Sequence, residues 1–297
     1  MAIVVRHAST EATFSGAAAS ASIIVLWVIL CLTPIRDPSW GALIGAAQLA
    51  ALVAFGMVHG STGYGPRAII GMFAAIVLVS NLFENLSIET GFPFGFFHHE
   101  VAMGPKMFNV PIMVGPAYFA VSYLAWITAS QLLGLSDERP SQCETVAIAV
   151  AGSLILMGFD ATVDPRGSTV LHYWTYAKGG GFFGVPFSNF LGWLLVGFVA
   201  LLAGGNVLTK MRPTPPLVAD KLWRIQPPLL LACQPLPLVM AWGNSPNMTF
   251  TDPAGTIWQT ANVLEGSVVV GLVSCVAFGV CGLLSALLAG PAPLRNG

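Results

Sequence analysis

Long apolar segments recur along the whole chain and constrain its fold more than any other feature. A helix needs roughly 20 apolar residues to cross about 30 Å of hydrocarbon. The last but one of the candidate segments is short and rich in proline, which predicts either a kinked span or a re-entrant segment. The candidate windows are 17–35, 41–59, 67–84, 107–134, 143–160, 185–205, 228–243 and 264–289. We therefore predict an all-α, polytopic transmembrane helical bundle of about eight spans, with seven as the alternative.

The composition supports this fold class and excludes several functions. With 55% hydrophobic residues and a mean hydropathy of +0.76, the chain is too apolar for a soluble domain. A net charge of −1 provides no positive field for nucleic acid. We expect one integral membrane domain over residues 1–297, surrounded by lipid in a bacterial plasma membrane, with a basic inter-helix loop at 206–227. The oligomeric state stays open.

Ionisable residues are concentrated between the third and fourth windows. Only 8% of the chain is charged. Ionisable groups are costly at the edge of a lipid-embedded bundle, so such a cluster is a candidate functional site. Phenylalanines lie among these groups and bring apolar ring surfaces next to acids and bases. The segment 84–106 contains Glu84, Glu89, Phe92, Phe94, Phe96, Phe97, His98, His99, Glu100 and Lys106.

A second polar cluster covers residues 158–193. Asp160 lies at the end of an apolar window, where a carboxylate is unfavourable unless it is paired or protonated. Asp164 precedes Pro165, a pattern typical of a helix stop or turn cap, and we interpret it in that way. Asn189 enters the next apolar window, where both a structural hydrogen bond between helices and a role in chemistry are open.

The number of windows predicts which loops meet. Two windows separate the 85–106 loop from the 161–184 loop, so both should emerge on the same face of the bundle. The 244–263 loop joins them if the 228–243 segment crosses the membrane. We therefore expect one face to carry the chemistry.

The histidines do not form a metal-binding pattern. Adjacent residues of a helix point about 100° apart, and His98, His99 and Glu100 have no second pair at helical spacing. The chain also lacks the phosphate-binding, dinucleotide-binding and nucleophilic-serine motifs. We expect no metal and no cofactor, and an acid–base or hydrogen-bonding role for His98.

Two motifs together carry a resemblance that covers about residues 55–200. The chain reads TGFPFG at 90–95, GPK at 104–106 and FFGVPFSNFLGW at 182–193, with His98 and the Asp160/Asp164-Pro165 turn between them. In these features it resembles the carotenoid biosynthesis membrane protein family. That family includes carotenoid 1,2-hydratases, which add water to the terminal alkene of acyclic carotenoid ends. The polar positions of the family pattern correspond to Glu84, His98, Asp160 and Asn189.

The resemblance implies an enzyme that protonates carbon. Protonation of a trisubstituted alkene gives a tertiary carbocation, which aromatic faces stabilise and water captures. A desolvated carboxyl group that stays protonated can supply the proton. We predict a hydrophobic polyprenoid or carotenoid substrate. The predicted catalytic residues are Glu84, His98, Glu100 and Asp160, and the predicted substrate-binding residues are Phe92, Phe94, Phe97, Tyr173, Trp174 and Asn189.

The resemblance leaves the reaction open, because the chain departs from the hydratases at one place. They read close to HYTD where this chain has His98-His99-Glu100-Val101. If an internal alkene captures the cation instead of water, the enzyme is a proton-initiated terpenoid cyclase and not a hydro-lyase. A third possibility is a non-catalytic polyprenoid carrier or assembly factor, in which neutralising Glu84 or Asp160 has no effect on a product.

Overall fold

The computed structural model describes residues 2–33, 38–136, 139–211 and 221–288, with side chains from Gly16 onward and, after the first gap, from Trp40 onward. The described chain is mainly helical. Turns of π-helix extend α5 at Arg166–Val170 and join α9 to α10 at Leu272–Val276. The helices are α1 Ala2–Leu32, α2 Pro38–Tyr64, α3 Pro66–Thr90, α4 Val114–Leu132, α5 Gln142–Pro165, α6 Phe187–Met211, α7 Lys221–Ala232, α8 Leu236–Asn244, α9 Thr260–Gly271 and α10 Ala277–Leu288.

Every predicted apolar window contains a helix, which confirms the all-α prediction. Five described helical stretches are long and apolar enough to cross a membrane, and the apolar part of α1, Gly16–Leu32, is shorter. Length and composition thus support five spans, so the count of eight stays a prediction. The five stretches are Trp40–Tyr64, Pro66–Thr90, Gln142–Val170, Phe187–Met211 and Thr260–Leu288.

Two predicted segments have different bounds in the structure. The proline-rich 228–243 window is divided between α7 and α8, and Pro235 precedes the first residue of α8. Proline has no backbone N–H to continue a helix, which explains the break before Leu236. Helices α6 and α7 take up residues 206–211 and 221–227 of the predicted basic loop, and residues 212–220 lie outside the described part of the chain.

Helix α4 lies at the centre of the bundle. Nearly all its residues from Val114 to Gln131 are buried, and it contacts α2, α3, α5, α6, α7 and α10. Small residues on its neighbours permit this close packing. At Gly205 of α6, for example, a Cβ atom would lie 2.2 Å from the ring of Trp126. The central position of α4 lets Tyr118 contact both Glu84 of α3 and Trp193 of α6.

Three two-stranded antiparallel ribbons form in the loops. Strand β1, Phe97–His99, pairs with β4, Trp174–Tyr176. Strands β2, Lys106–Met107, and β3, Val110–Pro111, form a second ribbon, and β5, Thr249–Thr251, and β6, Ile257–Gln259, form a third.

These ribbons show that the polar loops share one face of the bundle. The β1–β4 pairing joins the loop after α3 to the loop after α5, which confirms the expectation from the number of windows. The loop that contains β5 and β6 joins them, because the ring centroids of Phe183 and Trp258 are 5.5 Å apart.

Candidate active site

A cavity of about 360 Å³ lies beneath the joined loops. Seven helices and the β1–β4 ribbon contribute to its wall, which is mainly apolar and aromatic but includes three carboxyl groups and one guanidinium group. Its ionisable and amide residues are Gln48, Glu84, His99, Asp160, Asp164, Arg166, Asn189 and Gln234, and its aromatic residues are Trp27, Phe94, Phe97, Tyr118, Phe159, Tyr173, Trp174, Tyr176 and Trp193.

Two aspartates of α5 share one amide partner in this wall. Asp160 and Asp164 are four residues apart, so their side chains project from the same face of the helix. Both are buried, with 3% and 1% of their surface exposed. Asn189 Nδ2 of α6 donates to Asp160 Oδ2 at 2.7 Å and to Asp164 Oδ2 at 2.7 Å. The single amide group therefore fixes the two carboxyl groups relative to each other.

The two carboxyl groups differ in their hydrogen bonds. Besides Asn189, Asp164 accepts from Trp174 Nε1 at 2.6 Å and from Tyr176 Oη at 2.6 Å. Burial raises the pKa of Tyr176 well above that of an ordinary phenol, and the neighbouring carboxyl groups raise that pKa further. Tyr176 therefore keeps its proton and remains a donor. Among the described residues, Asp160 receives a side-chain hydrogen bond from Asn189 alone.

The structure corrects the interpretation of Asp164 as a turn cap. Pro165 is still in α-helical conformation, and the π-turn continues the helix beyond it. The Asp164 carboxyl group bonds side chains of β4 and α6 and does not cap a helix end. It is thus a buried member of the cavity wall.

A third carboxyl group, that of Glu84 on α3, forms a separate cluster. Its Oε1 accepts a hydrogen bond from Tyr118 Oη at 2.8 Å, and its Oε2 lies 3.1 Å from His99 Nε2. Lys106 Nζ donates to the backbone oxygen of His99 at 2.5 Å. This bond joins β2 to the last residue of β1.

The local strand explains why His99 is in the cavity wall and His98 is not. Successive side chains of a strand point to opposite sides, and β1 follows this alternation: Phe97 and His99 are buried whereas His98 is exposed. His98 Nε2 pairs with Glu100 Oε1 at 3.0 Å, and Thr175 Oγ1 donates to the same oxygen at 3.0 Å. Catalytic roles for His98 and Glu100 stay predictions, and this geometry gives them no support because neither residue lines the cavity.

Aromatic rings form a connected wall around the acids. The Tyr118 and Trp193 rings stack with centroids 4.6 Å apart, and Phe94 contacts both Trp193, at 6.4 Å, and Phe97, at 6.3 Å. Gly192 makes this possible, because a Cβ atom there would lie 2.3 Å from the Phe94 ring. Phe92, by contrast, is 55% exposed and does not line the cavity.

The structure thus brings together most of the residues that the sequence singled out. Glu84, Asp160, Phe94, Phe97, Tyr173, Trp174 and Asn189 line one cavity, whereas Phe92, His98 and Glu100 lie outside its wall. Sequence reasoning did not select several other cavity residues: His99, Tyr118, Asp164, Tyr176 and Trp193. If residues 97–99 had been predicted as a strand, the alternation of its side chains would have placed Phe97 and His99 on one side and His98 on the other, which could have favoured His99 as the cavity residue.

The described residues contain no group of three or more His, Cys, Asp or Glu side chains arranged to hold a metal ion. In the cavity, the imidazole of His99 faces Glu84, and the two aspartates share Asn189. The donors present are therefore arranged as hydrogen-bonded pairs.

Fold and site define a helical membrane protein with a buried, acid-lined aromatic cavity. Residues 41–240 match the family described as "Carotenoid biosynthesis protein", so the chain belongs to that family. It is also 31% identical over 129 residues to the bisanhydrobacterioruberin hydratase of Haloarcula japonica. The aligned segment covers 43% of this chain and 42% of that relative. No solved structure matches the chain.

Proposed function

We propose that the chain is a membrane enzyme that adds water to a terminal trisubstituted alkene of an acyclic carotenoid or related polyprenoid. The observation that carries this proposal is the Asp160–Asn189–Asp164 arrangement in the wall of an aromatic cavity. Membership of the carotenoid biosynthesis family and the similarity to a hydratase support the substrate class and the reaction. A bacterial plasma membrane is the location we propose.

Asp160 is the proton donor in this proposal. Hydrogen bonds to a carboxylate favour its charged form, and Asp164 receives three from side chains whereas Asp160 receives one. Two neighbouring carboxyl groups also resist carrying charge together. The pair is then best described as an Asp164 carboxylate beside a neutral Asp160, whose Oδ1 accepts no hydrogen bond from the described residues.

The aromatic wall stabilises the carbocation that protonation creates. Ring faces attract positive charge, and each such contact contributes on the order of 0.5–2 kcal/mol. Trp193, Phe94 and Phe97 supply adjoining rings, and the carboxylate of Asp164 adds negative charge to the same wall. The proton adds to one alkene carbon and water adds to the other, so no electrons are gained or lost and we propose no cofactor.

The size of the cavity suits the end of a long substrate. Pockets of about 300–1,000 Å³ bury drug-sized molecules. A cavity of about 360 Å³ accommodates an end group, so the rest of a carotenoid would extend into the lipid between helices.

The test is incubation of membranes that contain the protein with a lycopene-like carotenoid and, separately, a farnesylated aromatic substrate in ¹⁸O-labelled water. We expect a carotenoid alcohol that carries one labelled oxygen, and its absence in an Asp160→Asn sample. A product of unchanged mass would instead identify a cyclase. Bound but unaltered substrate, equal in the wild type and the variant, would identify a carrier.

A further inference from the structure

One nitrogen atom in the cavity wall has no explained role. His99 is 6% exposed, and its Nε2 contacts Glu84, but its Nδ1 is buried with no hydrogen-bond partner among the described residues. Buried polar atoms without a partner are rare and point to a bound water, a ligand or a catalytic role. His99 belongs to the wall of the cavity, so a substrate or water in the cavity is the partner to consider.

The Glu84 contact indicates which nitrogen carries the proton. Glu84 accepts from Tyr118 at Oε1, which suits a carboxylate, and its Oε2 is 3.1 Å from His99 Nε2. In a neutral imidazole one nitrogen donates and the other accepts. If Nε2–H donates to the Glu84 carboxylate, Nδ1 is left with its lone pair. A carboxylate–imidazole pair also orients the general base of hydrolytic enzymes, although there the carboxylate holds Nδ1 and Nε2 is the base.

We propose that His99 Nδ1 is the general base that holds and deprotonates the water that captures the carbocation, with Glu84 as its positioning residue. This inference rests on the proposed function. The C–O bond forms between the water oxygen and the cationic carbon, and the water proton passes to Nδ1. Asp160, which gave its proton to the alkene, recovers one from water, and His99 releases one to water. One water molecule is consumed and no redox partner is needed.

The other polar groups of the cavity are poorly suited to accept this proton. Trp27 Nε1 is also buried and without a partner among the described residues, but an indole N–H only donates. Arg166 has no acceptor, and amides such as Gln48 and Gln234 are very weak bases. The Asp164 carboxylate already accepts three side-chain hydrogen bonds. His99 combines basicity, burial in the wall and an unused lone pair.

The experiment separates water capture from protonation. In D₂O the donor carries deuterium, so a cation that water does not capture loses H⁺ or D⁺ and returns an alkene that contains deuterium. We compare His99→Gln with His172→Gln, which alters an exposed imidazole that does not line the cavity. A Gln amide can still donate to Glu84, which preserves the fold, but it offers no base. His99→Gln should lower the ratio of alcohol to deuterated alkene by about 100-fold, as expected for loss of a general base, and retain deuteration.

Each alternative outcome has a distinct meaning. An unchanged ratio in folded His99→Gln, or an equal fall in His172→Gln, would overturn the inference. Loss of deuteration along with alcohol would also overturn it, because His99 would then act in protonation. If His99→Gln does not fold, His99→Asn is measured, with the same expected fall in the ratio. Failure of the proposed function looks different, because the wild-type protein would then form neither alcohol nor deuterated alkene.

Discussion

Two buried histidines show how differently this protein uses the same side chain. His59 Nδ1 contacts Tyr123 Oη at 2.7 Å, and its Nε2 contacts the backbone oxygen of Trp223 at 2.8 Å. Its ring also stacks on Trp223 with centroids 4.3 Å apart. His99, in contrast, lines the cavity and has a partner among the described residues on one nitrogen only.

The comparison distinguishes a side chain that is buried to stabilise the fold from one that is buried beside a cavity and can contact a substrate. Around His59 both nitrogens are satisfied and neighbouring rings fill the space; at Gly63 a Cβ atom would lie 2.2 Å from the Trp223 ring. A group that is fully bonded and closely packed stabilises the fold but has no atom left for a substrate. The His99 and Asp160 environments keep such atoms and line open volume, so we expect substitutions there to affect turnover more than stability.

The largest effect should come from Asp160→Asn. An amide is too weak an acid to protonate carbon, so turnover should fall about 10³-fold or more. Asparagine can still accept the Asn189 hydrogen bond through its side-chain oxygen, so the melting temperature in detergent should change little. Both quantities are measured on the purified variant. Near-normal turnover in both Asp160→Asn and Glu84→Gln would move the proton donor to Glu100 or His98, which the sequence also indicates.

A matched pair of tyrosines on α4 tests the comparison directly. Tyr118 donates to Glu84 in the cavity, and Tyr123 contacts His59 in the closed cluster. Tyr123→Phe leaves the buried His59 Nδ1 without a partner. The free energy of unfolding should therefore fall by about 1–3 kcal/mol, whereas turnover should be retained. Tyr118→Phe should instead lower turnover about tenfold, because Glu84 then orients His99 less well. Its free energy of unfolding should change less than that of Tyr123→Phe, because cavity water can replace the lost donor.

The measurement is turnover and thermal unfolding of both variants under the same detergent conditions. If Tyr123→Phe lowers turnover and Tyr118→Phe lowers only stability, the assignment of the two regions is reversed. If both variants lower turnover and stability equally, the Glu84–His99 cluster and the His59 cluster form one cooperative unit.

A smaller effect is expected from the phenylalanines that the sequence placed in substrate binding. Phe94 is 2% exposed and packs on Gly192 in the wall, whereas Phe92 is 55% exposed. Phe94→Leu keeps most of the volume but removes a ring face, so turnover should fall about tenfold or less, since tenfold corresponds to about 1.4 kcal/mol and lies within the range of one cation–π contact. Phe92→Leu should leave turnover within about twofold of the wild type. Steady-state rates with one carotenoid substrate check both, and a larger loss for Phe92→Leu would support its predicted role in substrate binding.

The fold was largely predictable because its signals are local. Apolar windows specify helices residue by residue, and prolines near residue 235 indicated the break between α7 and α8. The convergence of the polar loops followed from the number of segments between them. The apolar windows alone did not establish how many helices span the membrane, since five described stretches meet the length and hydropathy of a span.

Parts of the site were less predictable because they depend on distant contacts. His98 and His99 are adjacent, and pairing of β1 with β4, about 75 residues further on, decides which ring is buried. Asp164 before Pro165 has the local pattern of a helix end, but its partners Trp174 and Tyr176 arrive only when β4 folds back over α5. The local sequence pattern identified the acidic and aromatic residues, and tertiary contacts determined which of them line the cavity.

The smallest effect should be that of chelation. In the described chain, His98 pairs with Glu100 at the surface, His99 pairs with Glu84, and Asp160 shares Asn189 with Asp164, so no three ligand side chains converge. A site for a transition metal or zinc needs at least three such ligands. Exhaustive dialysis against a chelator should therefore leave turnover unchanged within error, and added divalent ions should not raise it. Loss of turnover that one divalent ion restores would show that these pairs rearrange around a metal, and the cavity would then resemble neither the closed His59 cluster nor a proton-transfer site.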